Sequence, residues 1–417
     1  MQPRAPVVSP DALRARHGDA RALAQDLIDA RRDTLHTFAA FEAALPALRV
    51  PQTDELNPPL WELGHIGWFQ TYWLARFSQR SRGWRADPDA PRTAPTPPHA
   101  DALYDSSRVA HADRWSLPLP DAHTTRRALE RQLNATLDLL ATPTDPRDAD
   151  LYFFRLALLH EDMHHEASLY MAQALGIALD DARWHARVLP TPGRILHLPA
   201  TRRVLGANPD AGFAFDNECG QLPVQVEAVD IDSQVVRWHE YLPFVESGGY
   251  SQAQWWSAQG WQWRQSPASG LSDAGAPRYL HREGSAWWHT QYGHWQRLDL
   301  RAPACHLSFF EAQAWCRWAG RQLPTEAQWE WASVSHAENF RWGDVWEWTA
   351  SSFAPFAGFS EHPYREYSAP WFDGRPVLRG ASFMTQARMR HPGYRNFFLP
   401  GRNDISAGFR SCQPAAT

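Results

Sequence analysis

One stretch limits what this chain can fold into more than any other: residues 151–176, LYFFRLALLHEDMHHEASLYMAQALG. Leu151, Phe154, Leu158, Leu159, Leu169 and Ala172 recur at helical spacing, and Gly176 closes the run as a C-cap. His160 and His164 are four apart, so on a helix they share one face, one turn from each other. That spacing lets two imidazoles hold one metal ion. His165 points about 100° away around the axis. Glu166, two past His164, reads as a residue that orients a ligand rather than as a ligand itself. The competing reading is a solvated polar stripe on a bundle helix, since histidine pairs at this spacing also arise without metals.

A second helix is written in NPPLWELGHIGWFQTYWLARF, residues 57–77, with Asn57 as N-cap and Pro58 at the first helical position. Trp61, His65, Trp68 and Tyr72 fall on one stripe of it. Taken alone, His65 is a satisfied core histidine. Beside the pair on the later helix it is the candidate third ligand, with His111 and His123 next in line. Residues 11–45 read as one helix with the stripe Leu13, Leu23, Leu27, Leu35, Phe38 and Phe41, and His36 as a surface or core histidine. Residues 84–100 are proline-rich and irregular, and residues 124–141 form a third long helix. The expectation is an up-and-down four-helix bundle whose second and fourth helices supply the histidines.

From about residue 185 the helical periodicity gives way to short segments, turns, Trp and Gly. QLPVQVEAVDIDSQVV alternates with period two. SFFEAQAWCRWAG is a short helix with a capping box from Ser308 and Glu311, and RQLPTEAQWEWAS is a second, capped by Thr325. Residues 343–417 read as irregular. The 22 tryptophans suit a loop-rich fold whose long connections are pinned by rings. At 417 residues two domains are expected. A net charge of −5 gives no reason to expect nucleic acid or an anionic membrane as partner. Four cysteines without a CxxC pair fit a reduced, cytoplasmic protein with buried thiols. Met1 to Pro10 has no signal-peptide core, and no run of 18 apolar residues predicts a membrane span.

SFFEAQAWCRWAGRQLPTEAQWEWAS, GDVWEWTAS, VLRGASF and SAGFRSC together resemble the formylglycine-generating-enzyme, or sulfatase-modifying-factor, fold, a variant of the C-type lectin fold. Members that oxidise cysteine in sulfatases carry a copper-binding cysteine pair near the C-terminus. The matching stretch here, TQARMRHPGYRNFF, has none, so that activity is not expected. The first half resembles the DinB-like metal-binding bundle. Together, His160-EDM-His164-His165-Glu166, PPLWELGH, FAFDNE and YRNFFLPGRNDISAGFR resemble the ergothioneine sulfoxide synthases and the related selenoneine synthases.

The resemblance implies an α+β chain of two domains: a DinB-like four-helix bundle over residues 1–190 and a formylglycine-generating-enzyme-like domain over 191–417. It implies non-haem Fe(II) on His65, His160 and His164, and contact of Asn396 and Phe397 with hercynine, the trimethylated histidine. It also implies an active-site tyrosine pair, Tyr364 and Tyr367, with Tyr364 as proton donor. Two positions depart from the sulfur enzymes. Met163 stands where many have Gln, and Phe398 where some have an acid. Both make the pocket less polar, which favours a neutral selenosugar as donor. LYDSSRVAHADRWSLPLPD also looks closer to the selenoneine branch. The expected reaction is O₂-dependent joining of selenium to imidazole C2 of hercynine. Alternatives are the carbon–sulfur version with a cysteine-type thiol, a DinB-like zinc thiol transferase, and a non-enzymatic lectin-like ligand-binding protein.

Overall fold

The long apolar helix of the sequence sits at the centre of a helical N-terminal half. The computed structural model describes residues 8–142, 146–189, 192–272 and 275–415. The expected boundary between residues 190 and 191 lies outside the described residues.

The single helix expected over 11–45 is two, α1 (Pro10–His17) and α2 (Ala20–Ala44). The break falls at Gly18, where an added Cβ would sit 2.4 Å from the Arg14 carbonyl oxygen. Asp19 restarts the helix by accepting from the Ala22 N–H at 2.9 Å. α3 (Pro59–Gln70) begins one residue later than expected, with Pro58 rather than Asn57 before it. It runs on through a wider turn closed by Arg76 N–H donating to the Thr71 carbonyl. After the short α4 (Ala100–Tyr104) come α5 (Ala122–Ala141) and α6 (Asp148–Leu175). Gly176 ends α6 in the left-handed region, φ 66°, the cap its position predicts. α2 and α3 each pack on both α5 and α6, giving four helices around one core.

The C-terminal half mixes helix and sheet. Its helices are α7 (Trp238–Glu246), α8 (Ala258–Gln265), α9 (Phe309–Trp318) and α10 (Glu326–Ser335). Both expected capping residues are in place. Ser308 and Glu311 exchange their hydrogen bonds at α9, and Thr325 and Gln328 do so at α10. Strands β1 (Ile195–Leu198), β4 (Val229–Asp232) and β12 (Cys412–Pro414) form one antiparallel sheet, and β2 (Thr201–Leu205) pairs with β3 (Leu222–Val226). A meander of β5 (Leu280–Glu283), β6 (Ala286–Gln291) and β7 (His294–Arg297) is tied to α6, where Gln173 donates to the Thr290 carbonyl at 2.9 Å.

The stretch 343–417 is not irregular. It carries β8 (Trp346–Ser352), β9 (Pro376–Gly380), β10 (Asn396–Phe397) and β11 (Ala407–Gly408) in a sheet of order β10-β9-β8-β11. β8 gives no alternating pattern because both its faces are buried, Trp346 through Thr349 alike.

One apolar core runs through both halves. Buried ion pairs join them: Arg16 with Glu218 (2.7 and 2.9 Å) and Arg388 with Asp162 (2.9 and 2.7 Å). The four cysteines are free and buried. Among the described residues no helix is long and apolar enough to cross a membrane.

Candidate metal centre

α3 and α6 face each other, and their inward stripes bring three histidines together. One ring nitrogen from each of His65, His160 and His164 lies within 4.8 Å of the other two. On α3 the stripe is continuous: Trp61 stacks on His65 at 4.7 Å between ring centroids, and His65 on Trp68 at 5.6 Å. Phe69, one turn beyond His65, lies flat against His160 at 3.5 Å.

Each imidazole is prepared differently. The His65 Nδ1–H donates to the Tyr104 carbonyl at 2.8 Å, which leaves Nε2 with a lone pair. The His164 Nδ1–H donates to Glu62 Oε2 at 2.5 Å, again leaving Nε2. His160 is buried, and neither of its ring nitrogens has a partner. A buried polar atom without a partner costs about 1–3 kcal/mol. Burial, reinforced by the charge of His164, pushes His65 down to about 3 and His160 well below its ordinary value. Both rings are therefore neutral donors. With His164 they bring three imidazoles together, one with no protein partner at all, a set that fits a divalent metal ion.

Two sequence expectations change here. Glu166 does not orient a histidine. Its Oε1 accepts from Trp346 Nε1 at 2.8 Å and from the Ser382 and Thr385 hydroxyls, each at 2.9 Å, so it fastens α6 to the C-terminal half. The carboxylate that orients a ligand is Glu62, which the sequence reading passed over. Its signal was present, since Glu62 precedes His65 by one helical turn and shares its inward face. Burial pushes the Glu62 carboxyl up, but the charge and hydrogen bond of His164 outweigh this and leave it below its ordinary value. Of the two reserve histidines, His111 hydrogen-bonds the Leu56 carbonyl at 2.9 Å, and His123 is exposed on α5.

The structure brings Met163, Glu166, Tyr367, Asn396, Phe397 and Phe398 to the wall of one cavity of about 290 Å³; His65, His160 and His164 do not line it, and its link to them is Met163, the residue before His164 on α6. Asn396 Oδ1 accepts from the Phe397 N–H at 2.9 Å, so its Nδ2 hydrogens are the donors left over. The Tyr367 and Tyr394 hydroxyls are 2.9 Å apart, and Tyr394 reaches Met163 Sδ at 3.5 Å. Tyr364 is not in this cavity. It sits across Phe69, edge-on at 4.9 Å, in a cleft with Trp68 and Tyr72, its ring 6.0 Å from that of His160. Burial raises the Tyr364 phenol, so it stays protonated.

Glu62→Gln keeps the shape but removes the charge behind His164. Metal affinity is expected to fall roughly ten- to hundredfold, with an unchanged circular dichroism spectrum. Metal titration of the stripped protein measures it, and an unaltered dissociation constant would remove Glu62 from this role.

Residues 190–344 match the sulfatase-modifying factor enzyme 1-like domain. Along nearly the whole chain, it is 32% identical to hercynine oxygenase from Mycolicibacterium thermoresistibile, covering 93% of this chain and 94% of that protein. It is likewise 32% identical to hercynine oxygenase from Mycobacterium tuberculosis, over 93% and 97%. Formylglycine-generating enzyme from Streptomyces coelicolor is 24% identical over 55% of this chain and 92% of its own length.

Proposed function

The chain belongs to the hercynine oxygenase family, and from that premise we propose that it is a non-haem Fe(II)- and O₂-dependent synthase that bonds a chalcogen to imidazole C2 of hercynine. The DinB-like reading of residues 1–190 and the formylglycine-generating-enzyme-like reading of 191–417 belong to the same proposal. One observation carries it: three imidazoles converge, one of them wholly unpartnered, on a helix that also lends Met163 and Glu166 to the wall of an aromatic cavity shared with the second half.

His65, His160 and His164 would hold the iron, which supplies one-electron chemistry with O₂ and an affinity for a soft anionic thiolate or selenolate. The rest is the work of side chains. Tyr170, Trp346, Tyr394, Phe397 and Phe398 line the cavity, and aromatic faces suit the permanent cation of a trimethylammonium group. Glu166 stands on the same wall. The free Nδ2 hydrogens of Asn396 can hold the imidazole or carboxylate of hercynine. Tyr364 keeps its proton, and its hydroxyl makes no hydrogen bond among the described residues, which supports it as the proton donor. Buried aromatic walls exclude water from the coupling.

The finer reading is a selenosugar donor, giving a carbon–selenium bond. The cavity is not apolar throughout, since Asp54, Glu55, Asn57, His111 and Arg402 also line it. Carboxylates, amides and imidazoles of this kind suit sugar hydroxyls. The alternative is the carbon–sulfur coupling with a cysteine-type thiol. The test is anaerobic Fe(II) reconstitution, then O₂ with hercynine and each donor, with products identified by mass. No O₂ uptake and no coupled product with either donor would reject the function.

Asn396→Ala is expected to weaken hercynine binding roughly ten- to hundredfold, the loss of one hydrogen bond to a charged group. Equilibrium dialysis of hercynine checks it, and unchanged affinity would show that Asn396 does not face this substrate.

A further inference from the structure

A second cavity, of about 480 Å³, shares no lining residue with the first. It lies where the start of α1, the segment after α6, the loop between α10 and β8, and the turn after β9 meet. Four arginines line it, Arg183, Arg187, Arg341 and Arg390, against one carboxylate, Asp344. Two of the four are already neutralised. Arg341 is forked on Asp344 at 2.8 and 2.7 Å, and Arg183 is shared by Asp33 and Asp181 at 2.9 and 2.7 Å.

The other two are not. Arg390 is half-buried, and its Nε and Nη2 donate to the carbonyls of Thr385 and Ser382 at 3.1 and 3.0 Å. Its charge therefore meets no carboxylate directly. Nη1 faces the loop, 3.7 Å from where a Cβ on Gly343 would lie. Arg187 is exposed and has no hydrogen bond or ion pair among the described residues. Burial holds Arg390 below its ordinary value, Glu166 and Asp344 oppose this, and Arg187 adds to it, which places the two cations within each other's field. Two uncompensated guanidinium groups on one concavity, walled by Phe340, Trp342 and Phe383, make a receptor for negative charge.

We infer that this cavity binds a phosphate-bearing small molecule, its oxyanion held between Arg390 and Arg187. The planar guanidinium fork matches phosphate oxygens, and two forks suit a group of more than one charge. The site is also joined to the first cavity. Arg390 grips the carbonyls of Ser382 and Thr385, and the hydroxyls of the same two residues hold Glu166. Trp346, two past Asp344, holds it too. An anion drawing on Arg390 therefore acts on the turn that sets a carboxylate in the wall of the first cavity. The binding claim stands without the proposed function; the coupling claim rests on hercynine being the occupant of that cavity.

The test is calorimetric titration of the full chain with inorganic pyrophosphate at fixed ionic strength, with citrate as a second arm. One saturable site is expected, weakened at least tenfold in Arg187→Ala and in Arg390→Gln. Arg187 is exposed, so its variant reports on binding even if Arg390→Gln fails to fold. No saturable binding, binding unchanged in Arg187→Ala, or tighter binding of citrate than of pyrophosphate would overturn the site. For the coupling, saturating pyrophosphate should shift the hercynine dissociation constant in the parent and not in Arg187→Ala. A parent constant that does not move would overturn the coupling alone. Absence of any hercynine binding would instead count against the proposed function and leave the anion site standing.

Discussion

His160→Ala is expected to strip most of the iron and abolish turnover while the four helices stay folded. In the metal-free parent His160 is a liability, because both its nitrogens are buried without partners, each at a cost of about 1–3 kcal/mol. Removing the ring forfeits its flat contact with Phe69 but also removes that cost. The metal-free variant should therefore unfold at a temperature close to that of the metal-free parent. The two should separate only when Fe(II) is added, since an ion that binds the folded state alone raises stability by mass action. The measurements are iron content after desalting, thermal unfolding with and without Fe(II), and O₂ uptake with hercynine. Stoichiometric iron in His160→Ala would sink the three-histidine centre. His65→Ala and His164→Ala should lose iron and turnover in the same way, because each contributes one nitrogen to the same cluster, but they should also lower the metal-free unfolding temperature, since they leave the Tyr104 carbonyl and the buried Glu62 carboxylate without their partners.

The parts of this site that could be read from sequence are those where one local rule has one outcome. An i,i+4 pair on a helix must share a face, so His160 and His164 converge wherever α6 packs. His65 followed because its stripe is otherwise Trp and Tyr, and such a stripe points inward. Gly176, Ser308 and Thr325 were legible for the same reason, since a cap is decided within a turn. What stayed hidden depends on partners far along the chain. Glu166 looks like a companion of His164, but three donors from residues 346–385 claim it instead. Residues 343–417 looked irregular because charge reads as surface. Here Arg379, Arg395 and Arg410 are among the largest fully buried side chains. Arg410 is held by Glu347 on β8, and Arg395 by Glu326 at 2.9 and 3.1 Å. A strand buried on both faces, its one acid, Glu347, paired to an arginine 63 residues on, shows neither alternation nor an apolar run.

A neutral selenosugar is expected to outcompete γ-glutamylcysteine and cysteine in kcat/KM with hercynine. Two substituted positions raise the expectation, and the pairing of the cavity's charges sharpens it. Met163 and Phe398 both line the wall. Arg402 is the one guanidinium among the lining residues, and it is forked on Asp404 at 2.5 and 2.6 Å while lying over the Phe398 ring. Glu55 is likewise taken by Arg278 at 2.9 and 3.0 Å, and His111 by a backbone carbonyl. Among the described residues that line the cavity, a dicarboxylate donor would find no free cation. An uncompensated buried charge costs roughly 3–5 kcal/mol, or about two to three and a half decades in kcat/KM. A sugar avoids that penalty, and its hydroxyls can use Asp54, Asn57 and the outer edge of Glu55. Selenium helps independently, because a selenol is more acidic than a thiol and is already the anion at neutral pH. Phe398→Asp with Met163→Gln gives the wall a partner for an ammonium group and an amide for a carboxylate, so the double variant should move the preference toward the charged thiol. The measurement is a competition assay with hercynine, Fe(II), O₂ and both donors in one vessel, with the two products quantified by mass. If γ-glutamylcysteine wins in the unmodified protein, the free-cation argument is wrong and the carbon–sulfur coupling takes its place.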